Sequence, residues 1–247
     1  MPLTAVSTLR SVPLFAQCRD SELEQILQAF TARDYPKNSV ILSAHDPGDT
    51  FYVLLSGQVK VMLVAEDGRE VILSLMRSGD FFGEAALFKK DSHGASVIAM
   101  QDSRLLVLRR DDLYRFLMGM PGVALGLLRS LCARVQKAGE TIGGLVLLDV
   151  TGRVSRLLLQ LADESGGELI PDPPTHQIMA QMVGSSRETI SRTMSDLNSR
   201  QLVAVSKEGI TIRNREALEI AAGQLWREQA RRRKEFDSRQ ASRSEPE

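Results

Sequence analysis

The segment from residue 175 to residue 197 constrains the fold of this chain more than any other stretch. Its pattern predicts two short helices joined by a tight turn at Gly184, because glycine adopts without strain the positive φ that closes a helix. The first helix has an apolar face, which consists of Ile178, Met182 and Val183. Two short helices around such a turn are typical of the helix-turn-helix motif.

The second helix of this segment has its own start and packing signals. Ser185 follows the glycine and offers a side-chain oxygen for an N-cap, and Glu188 stands three residues later, as in a capping box. At about 100° per residue, Ile190, Met194 and Leu197 fall on one side of the helix. We therefore expect that side to pack against a core and the opposite side to be free for a partner.

The free side of the second helix carries the chemistry that reads DNA bases. Arg187, Arg192 and Glu188 lie there among short side chains. Arginine donates two hydrogen bonds to guanine, and glutamate accepts one from cytosine. A simpler interpretation fits the same residues, in which Glu188 only caps the helix and the arginines are solvated surface charges. The residues predicted to contact DNA also include Thr175, Ser186 and Ser191.

A family resemblance is visible in the residues from Gly184 to Arg192. Their sequence, Gly-Ser-Ser-Arg-Glu-Thr-Ile-Ser-Arg, resembles the recognition helix of the cyclic-AMP receptor protein and fumarate–nitrate regulator family. The resemblance implies that Arg187, Glu188 and Arg192 read bases. It also implies double-stranded DNA as a partner and RNA polymerase as a further one.

The N-terminal half of the chain contains many short β-rich runs. They follow Tyr35-Pro36 and are separated by turn signals such as Asp46-Pro47-Gly48 and Asp67-Gly68. The runs are Val40–Leu42, Phe51–Leu55, Gln58–Val64, Val71–Leu75 and Ser103–Leu108. Strands of this length and spacing favour a small barrel or jelly roll. The turn glycines also resemble those of cyclic-nucleotide-binding domains, which implies a sensor domain of that β-roll type.

One turn between these strands has the composition of an anion-binding loop. Residues 79–88 run from a Gly-Asp turn into a short apolar helical segment, and backbone N–H groups at such a helix start can bind a phosphate. A structural turn that closes the barrel explains the same residues. The segment resembles the phosphate-binding cassette of cyclic-nucleotide-binding domains, which implies a bond from Glu84 to a ribose hydroxyl and backbone contacts at Gly83 and Ala85.

The chain departs from the cyclic-AMP-binding members of the family at the residues that hold the nucleotide. Where those members have an arginine, a serine or threonine and an alanine, this chain has His93, Gly94 and Ala95. A largely neutral imidazole cannot replace the permanent two-pronged charge of arginine. The Thr-Ser pair that contacts adenine is replaced by Ala138-Gly139. We therefore expect that cyclic AMP is not the effector; cyclic di-GMP, which some relatives bind, another ligand, or no ligand at all are the open alternatives.

The cysteine and histidine contents argue against a metal centre. Cys18 and Cys132 lie far apart and outside any CxxC pair, and the three histidines have no ligand-like spacing. The N-terminal cysteine cluster of the iron–sulfur branch of the family is missing, so we expect no iron–sulfur cluster. The sequence also lacks a GxSxG motif, a Walker A loop and a paired-His metal motif, and we expect a protein that is not an enzyme.

Length, charge and hydropathy limit the class of protein. A chain of 247 residues with 43% hydrophobic residues is long enough for two cores. It balances 31 basic against 31 acidic residues, so the net charge is no evidence for nucleic-acid binding. The sequence has neither a signal-peptide pattern nor an apolar run of about 18 residues, and we expect a cytoplasmic protein without membrane contact.

A heptad pattern follows Pro121. Apolar residues alternate steps of four and three along Ala124, Leu128, Leu131, Val135, Ala138, Ile142 and Leu145. Such a stripe is a coiled-coil seam. It predicts a parallel homodimer whose interface includes Leu128, Leu131, Val135, Ala138 and Ile142. A helix buried within a single chain would explain the same apolar positions.

The sequence divides into four segments. We predict an α+β protein with a cyclic-nucleotide-binding-type β-roll or jelly-roll barrel at 1–110, a dimerisation helix and hinge at 111–148, a winged helix-turn-helix at 149–222 and a charged tail at 223–247. The wing is predicted from two β-rich runs that pair across Lys207-Glu208-Gly209. The expected function is a dimeric transcription regulator that binds an inverted repeat. The alternatives are a regulator switched by another ligand, such as cyclic di-GMP, and a nucleotide-binding module attached to a different effector domain.

Overall fold

The computed structural model describes residues 9–47, 49–84 and 93–223. The chain divides into two units, Met1–Ala138 and Gly139–Glu247. The predicted tail lies outside the described residues from residue 224 onwards, and so does the segment 85–92, which contains Ala85.

Two four-stranded antiparallel sheets form the framework of the first unit. Their strands are β1 (Thr31–Tyr35), β2 (Val40–Leu42), β3 (Thr50–Ser56), β4 (Gln58–Val64), β5 (Glu70–Arg77), β6 (Phe81–Phe82), β7 (Ser96–Ala99) and β8 (Ser103–Arg109). One sheet has the order β1-β8-β3-β6, and the other has the order β2-β7-β4-β5. Consecutive strands thus cross between the sheets, as in a jelly roll.

Three helices cover one side of this framework. They are α1 (Asp20–Ala29), α2 (Arg110–Gly119) and α3 (Pro121–Leu147). Pro121 stands at the first position of α3, where the missing N–H costs no hydrogen bond and the fixed φ suits the helix. Val123 and Leu127, in the first turns of α3, are buried in the core of the unit.

Strand β3 shows why the apolar runs of this unit are continuous. Phe51 and Val53 pack with helix residues such as Leu23, whereas Leu54 packs with Val59 of β4 in a second cluster. Because side chains alternate between the two faces of a strand, β3 is buried on both faces. The strand therefore needs apolar residues at every position rather than at every second one.

The described part of the second unit contains four further helices and three strands. They are α4 (Val150–Glu164), β9 (Leu169–Ile170), α5 (His176–Val183), α6 (Arg187–Ser199), β10 (Val203–Ser206), β11 (Gly209–Ile212) and α7 (Arg215–Ala221). The strands form one sheet in the order β10-β11-β9. Leu158 of α4, Met179 of α5, Ile190 of α6 and Ile210 of β11 are buried in one common core.

The predicted fold class is confirmed, from the β-roll through the long helix to the winged helix-turn-helix. The sequence did not predict β1, β6, β7 and β9. Two of these strands have only two residues, and β1 is a polar strand at a sheet edge with most of its residues exposed. Neither length nor alternation marks such strands in a sequence.

Within the described ranges, no single helix is long and apolar enough to cross a membrane. The bent pair α2 and α3, which meet at 109°, passes that test only when both helices are taken together, and by length and composition alone. No group of three or more His, Cys, Asp or Glu residues that could hold a metal ion occurs in the same ranges. Cys18 and Cys132 are both free thiols, the first buried and the second exposed.

Candidate nucleic-acid interface and ligand site

The turn between α5 and α6 has the geometry that its glycine predicts. Gly184 has φ 65° and ψ 56°, in the left-handed region. The N–H of Ser185 donates to the Ala180 carbonyl at 3.0 Å, which satisfies an end group of α5. At the other end of α5, the Thr175 hydroxyl accepts a hydrogen bond from the Ile178 N–H at 3.3 Å. The buried face of α5 consists of Met179, Ala180 and Val183.

Two details of the sequence prediction need correction here. The N-cap of α6 is Ser186 rather than Ser185, because the Ser186 Oγ accepts from the Thr189 N–H at 3.2 Å. Thr189 therefore holds the position that the capping box had assigned to Glu188. In α5, Ile178 and Met182 are only half-buried, and the core contacts shift by one residue to Met179 and Val183.

The two sides of α6 differ as predicted. Ile190, Met194 and Leu197 are buried in the core of the second unit. Arg187, Glu188, Ser191 and Arg192 are exposed. A surface with two guanidinium groups, one carboxylate and one hydroxyl thus stands on a helix that is fixed from behind.

Glu188 keeps its negative charge on this surface. The pKa of Glu188 lies below its ordinary value, because its carboxylate accepts a hydrogen bond from its own backbone N–H and a second one from the Ser186 hydroxyl. The Arg187 and Arg192 guanidinium groups lower this pKa further. At neutral pH the side chain is therefore an acceptor, as a contact to a cytosine amino group requires.

A hairpin follows the recognition helix. Strands β10 and β11 pair antiparallel, and Ser206 lies opposite Gly209 across the turn Lys207-Glu208. Gly209 has φ 134°, and a Cβ at this position would lie 2.0 Å from the Ile170 carbonyl oxygen. Only glycine fits there, and the close approach holds the hairpin against β9.

The predicted seam on α3 is largely open in the single chain. Leu128, Val135 and Ile142 are 58%, 72% and 62% exposed. Ala138 is exposed as well, whereas Leu131 is partly buried against the core of the first unit. Burial within one chain thus does not account for most of the heptad stripe.

The predicted ligand site places Gly83 and Glu84 next to β3. Gly83 has φ 93°, and a Cβ there would lie 2.5 Å from the Thr50 carbonyl oxygen, so this glycine has a packing reason. Glu84 is 7% exposed. Its Oε2 has no hydrogen-bond partner among the described residues. The predicted contact at Ala85 falls outside those residues.

An arginine that the sequence prediction missed reaches this site from α3. Arg134 donates from Nη1 to Glu84 Oε1 at 2.6 Å and from Nη2 to the Phe81 carbonyl at 2.5 Å. Its guanidinium carbon also lies 4.6 Å from the centre of the Phe81 ring. The only sequence signal is the position of Arg134 one helical turn before Ala138, where the family contacts the base.

His93 lies near this carboxylate but carries little positive charge. The pKa of His93 is lowered, because burial disfavours the imidazolium form more than its neighbours favour it. The opposing influences are a hydrogen bond with the Pro47 backbone and the carboxylates of Asp46, Asp49 and Glu84. The imidazole is therefore mostly neutral at pH 7.

Comparisons with known proteins agree on one family. A profile of the cyclic nucleotide-binding domain matches residues 32–119, and a profile of the Crp-like helix-turn-helix domain matches residues 152–220. A CRP-like cAMP-activated global transcriptional regulator of Mycobacterium tuberculosis is 30% identical over 210 residues, which cover 83% of this chain and 94% of that protein. The chain belongs to the cyclic-AMP receptor protein and fumarate–nitrate regulator family.

Two further relatives extend this result. The cAMP-activated global transcriptional regulator CRP of Pasteurella multocida is 32% identical over 198 residues, which cover 78% of this chain and 95% of that protein. The structure of a c-di-GMP responsive global regulator of Xanthomonas campestris shares the fold with a TM-score of 0.69 at 24% identity, over 78% of this chain and 99% of that one. Membership of the family makes the chain a DNA-binding transcription regulator with a cyclic-nucleotide-binding-type domain.

Proposed function

We propose that this family member acts as a homodimer on an inverted-repeat operator, that α6 of each protomer reads the bases, and that cyclic AMP is not required. The observation that carries the proposal is the exposed surface of Arg187, Glu188 and Arg192 on a helix whose other side is buried. RNA polymerase is the protein partner that we propose for the DNA-bound regulator.

The capping geometry supports base reading by Glu188. If Glu188 were needed as the capping residue of α6, its carboxylate would have to turn back onto the helix start. The Ser186 hydroxyl already accepts from the Thr189 N–H, so the helix has its cap without Glu188. The carboxylate is then available for a base edge, between two arginines that suit guanine.

The exposed seam on α3 supports the homodimer. Leu128, Val135 and Ile142 would otherwise leave an apolar stripe in water. In a parallel pair these residues face their own copies, and the pair acquires two-fold symmetry. Two recognition helices related in this way read half-sites about one DNA turn, roughly 34 Å, apart. The family resemblance predicts half-sites of the TGTGA type.

The residues around Glu84 support independence from cyclic AMP. His93 supplies no permanent charge for a cyclic phosphate, and Ala138 and Gly139 supply no side-chain hydroxyls for a base. A missing charge-assisted contact costs about 1.5 to 3 kcal/mol, and a missing neutral hydrogen bond about 1 kcal/mol. Two or three such losses would weaken a micromolar site by roughly two or more orders of magnitude.

The effector class is a separate part of the proposal. The Xanthomonas campestris neighbour, by its own description, responds to c-di-GMP, and we take cyclic di-GMP as the second candidate for this chain. A dimer that binds DNA with no ligand is the first. In both cases Arg134 already bonds to Glu84 and Phe81, so a ligand would have to compete with these contacts.

Fluorescence anisotropy on a palindromic operator tests these proposals together. The full chain is titrated alone, with millimolar cyclic AMP and with cyclic di-GMP. We expect operator binding without ligand and less than about a twofold change with cyclic AMP. A rise in affinity of about tenfold or more with cyclic AMP would show that the inference from His93, Ala138 and Gly139 is wrong. A tenfold rise with cyclic di-GMP alone would select the second candidate.

A further inference from the structure

The end of α3 is bonded to α4 by an almost buried ion pair. Arg156 of α4 donates from Nη1 to the Glu140 carbonyl at 2.8 Å. Its Nη2 lies 3.4 Å from Glu140 Oε2, and the two side chains are only 12% and 8% exposed. Both residues belong to the second unit. One guanidinium thus holds both the backbone and the side chain of the same helical residue.

The helix that this arginine holds is weak in the same place. Gly139, Gly143 and Gly144 lie within six residues of α3. Glycine disfavours a helix because it loses more conformational freedom than alanine on becoming ordered. A Cβ added to Gly139 or Gly143 would meet nothing within 4 Å in the chain. Close packing within the chain therefore does not explain these two glycines.

Gly144 is different from the other two. A Cβ at this position would lie 3.1 Å from Arg156 Nη1, so the glycine leaves the space that the guanidinium occupies. Next along the chain, Arg153 donates to the Leu148 carbonyl at 2.9 Å and so ties down the connection between the helices. Two arginines of α4 therefore supply bonds that the glycine-rich end of α3 does not make for itself.

We propose that residues 139–147 form a helical segment whose order depends on Arg156, so that the Arg156–Glu140 pair is a latch on the joint between α3 and α4. With the latch closed, the segment is wound up to α4. With the latch open, the glycines let it unwind locally. The latch follows from these contacts alone, whereas its effect on DNA affinity rests on the proposed function.

Hydrogen–deuterium exchange of the full chain tests the latch directly. In Arg156→Gln, the amides of 139–147 should exchange about tenfold faster or more, because a charge-assisted pair and a carbonyl bond are lost together. Glu140→Gln should have a smaller effect, since its backbone carbonyl and its amide oxygen still accept. Arg69→Gln is the matched control, because it removes an exposed pair with Asp67 by the same chemical change. It should leave 139–147 unchanged.

A rescue variant separates the latch from a general loss of stability. Gly143 faces open space in the chain and lies one residue, or about 100°, past the seam position Ile142. Adding Gly143→Ala to Arg156→Gln should slow the exchange of 139–147 towards the wild-type rate, because alanine favours the helix. Operator affinity should fall in Arg156→Gln and recover in the double variant.

Three results would overturn the latch. They are unchanged exchange of 139–147 in Arg156→Gln, an equal increase throughout α6 and the hairpin, and no rescue by Gly143→Ala. If Arg156→Gln does not fold, Glu140→Gln and its combination with Gly143→Ala provide the same comparison. A wild-type chain that fails to bind any palindromic operator would refute the proposed function, while the exchange rates would still decide the latch.

Discussion

The pair formed by Arg134 and Glu84 allows a quantitative prediction for the first unit. Arg134→Gln removes a charge-assisted bond to Glu84, a bond to the Phe81 carbonyl and a cation–π contact with the Phe81 ring. It also leaves the Glu84 carboxylate, which is 7% exposed, without its only partner among the described residues. Breaking a buried pair on one side costs about 3 to 5 kcal/mol.

The expected loss lies at the lower end of that range. The Arg134 side chain is 36% exposed, so water already screens the pair and can solvate part of what the variant leaves behind. We expect the first unit to lose about 3 kcal/mol. For a unit of this size that corresponds to a fall in Tm of roughly 10 °C. Glu84→Gln removes the charge but keeps an acceptor, and should cost about 1 to 2 kcal/mol.

Differential scanning calorimetry of the single and double variants measures these values. The double variant has no unpaired buried charge, so its loss should be at least about 1.5 kcal/mol smaller than the sum of the single losses. Arg69→Gln, at the exposed pair with Asp67, should cost no more than a few tenths of a kcal/mol. Single losses that add within about 0.5 kcal/mol would refute the reasoning, since they would mean that the two side chains do not act as a pair.

Three further predictions concern DNA reading, assembly and pH. Arg192→Ala and Glu188→Ala should each lower the discrimination between operator and scrambled DNA by about 1 to 3 kcal/mol in quantitative gel shifts; unchanged discrimination with an intact circular dichroism spectrum would contradict base reading. Replacing Leu131 and Val135 by Glu should give monomers in sedimentation velocity, because like charges then face each other in the seam, and persistent dimers would place the interface elsewhere. Burial lowers the pKa of His93 below the ordinary 6.5, so the unfolded chain takes up the proton first; stability is then full above pH 6.5 and is lost as the pH falls below it. His93→Gln should flatten this fall in calorimetric scans between about pH 6.5 and pH 5, and an unchanged slope would show that other groups cause it.

Local patterns account for most of what the sequence predicts correctly. Ile190, Met194 and Leu197 recur at helical spacing, so their common burial follows from periodicity alone. Gly184 marks the left-handed residue of the turn for a similar reason, because few other residues adopt that conformation. Such signals lie within a few residues of the structure that they determine, and a single sequence contains them in full.

Predictions fail where two local solutions have nearly equal energy or where the partner is distant. Ser185 and Ser186 can both cap a helix, and the path of the chain out of the Gly184 turn selects the second. Arg134 and Glu84 are 50 residues apart, and no periodicity connects them. The sequence resemblance identified Glu84 but not its partner, because the partner depends on which side of α3 packs against the sheets.

Helix α3 brings these distant contacts onto one element. Arg134 and Glu140 are six residues apart on it, which places them about 9 Å apart along the axis and on different sides of the helix. Arg134 bonds to Glu84, Glu140 bonds to Arg156, and the seam residues Ala138 and Ile142 occupy a third side. Gly139 lies between the two ion pairs, where the helix is intrinsically weakest. Any event that changes the winding of α3 at this point, whether a ligand at Glu84 or pairing along the seam, therefore acts on the same few backbone hydrogen bonds. A regulator built in this way does not need the full set of cyclic-AMP contacts, because the free energy required to order a few residues is small compared with that of folding a domain.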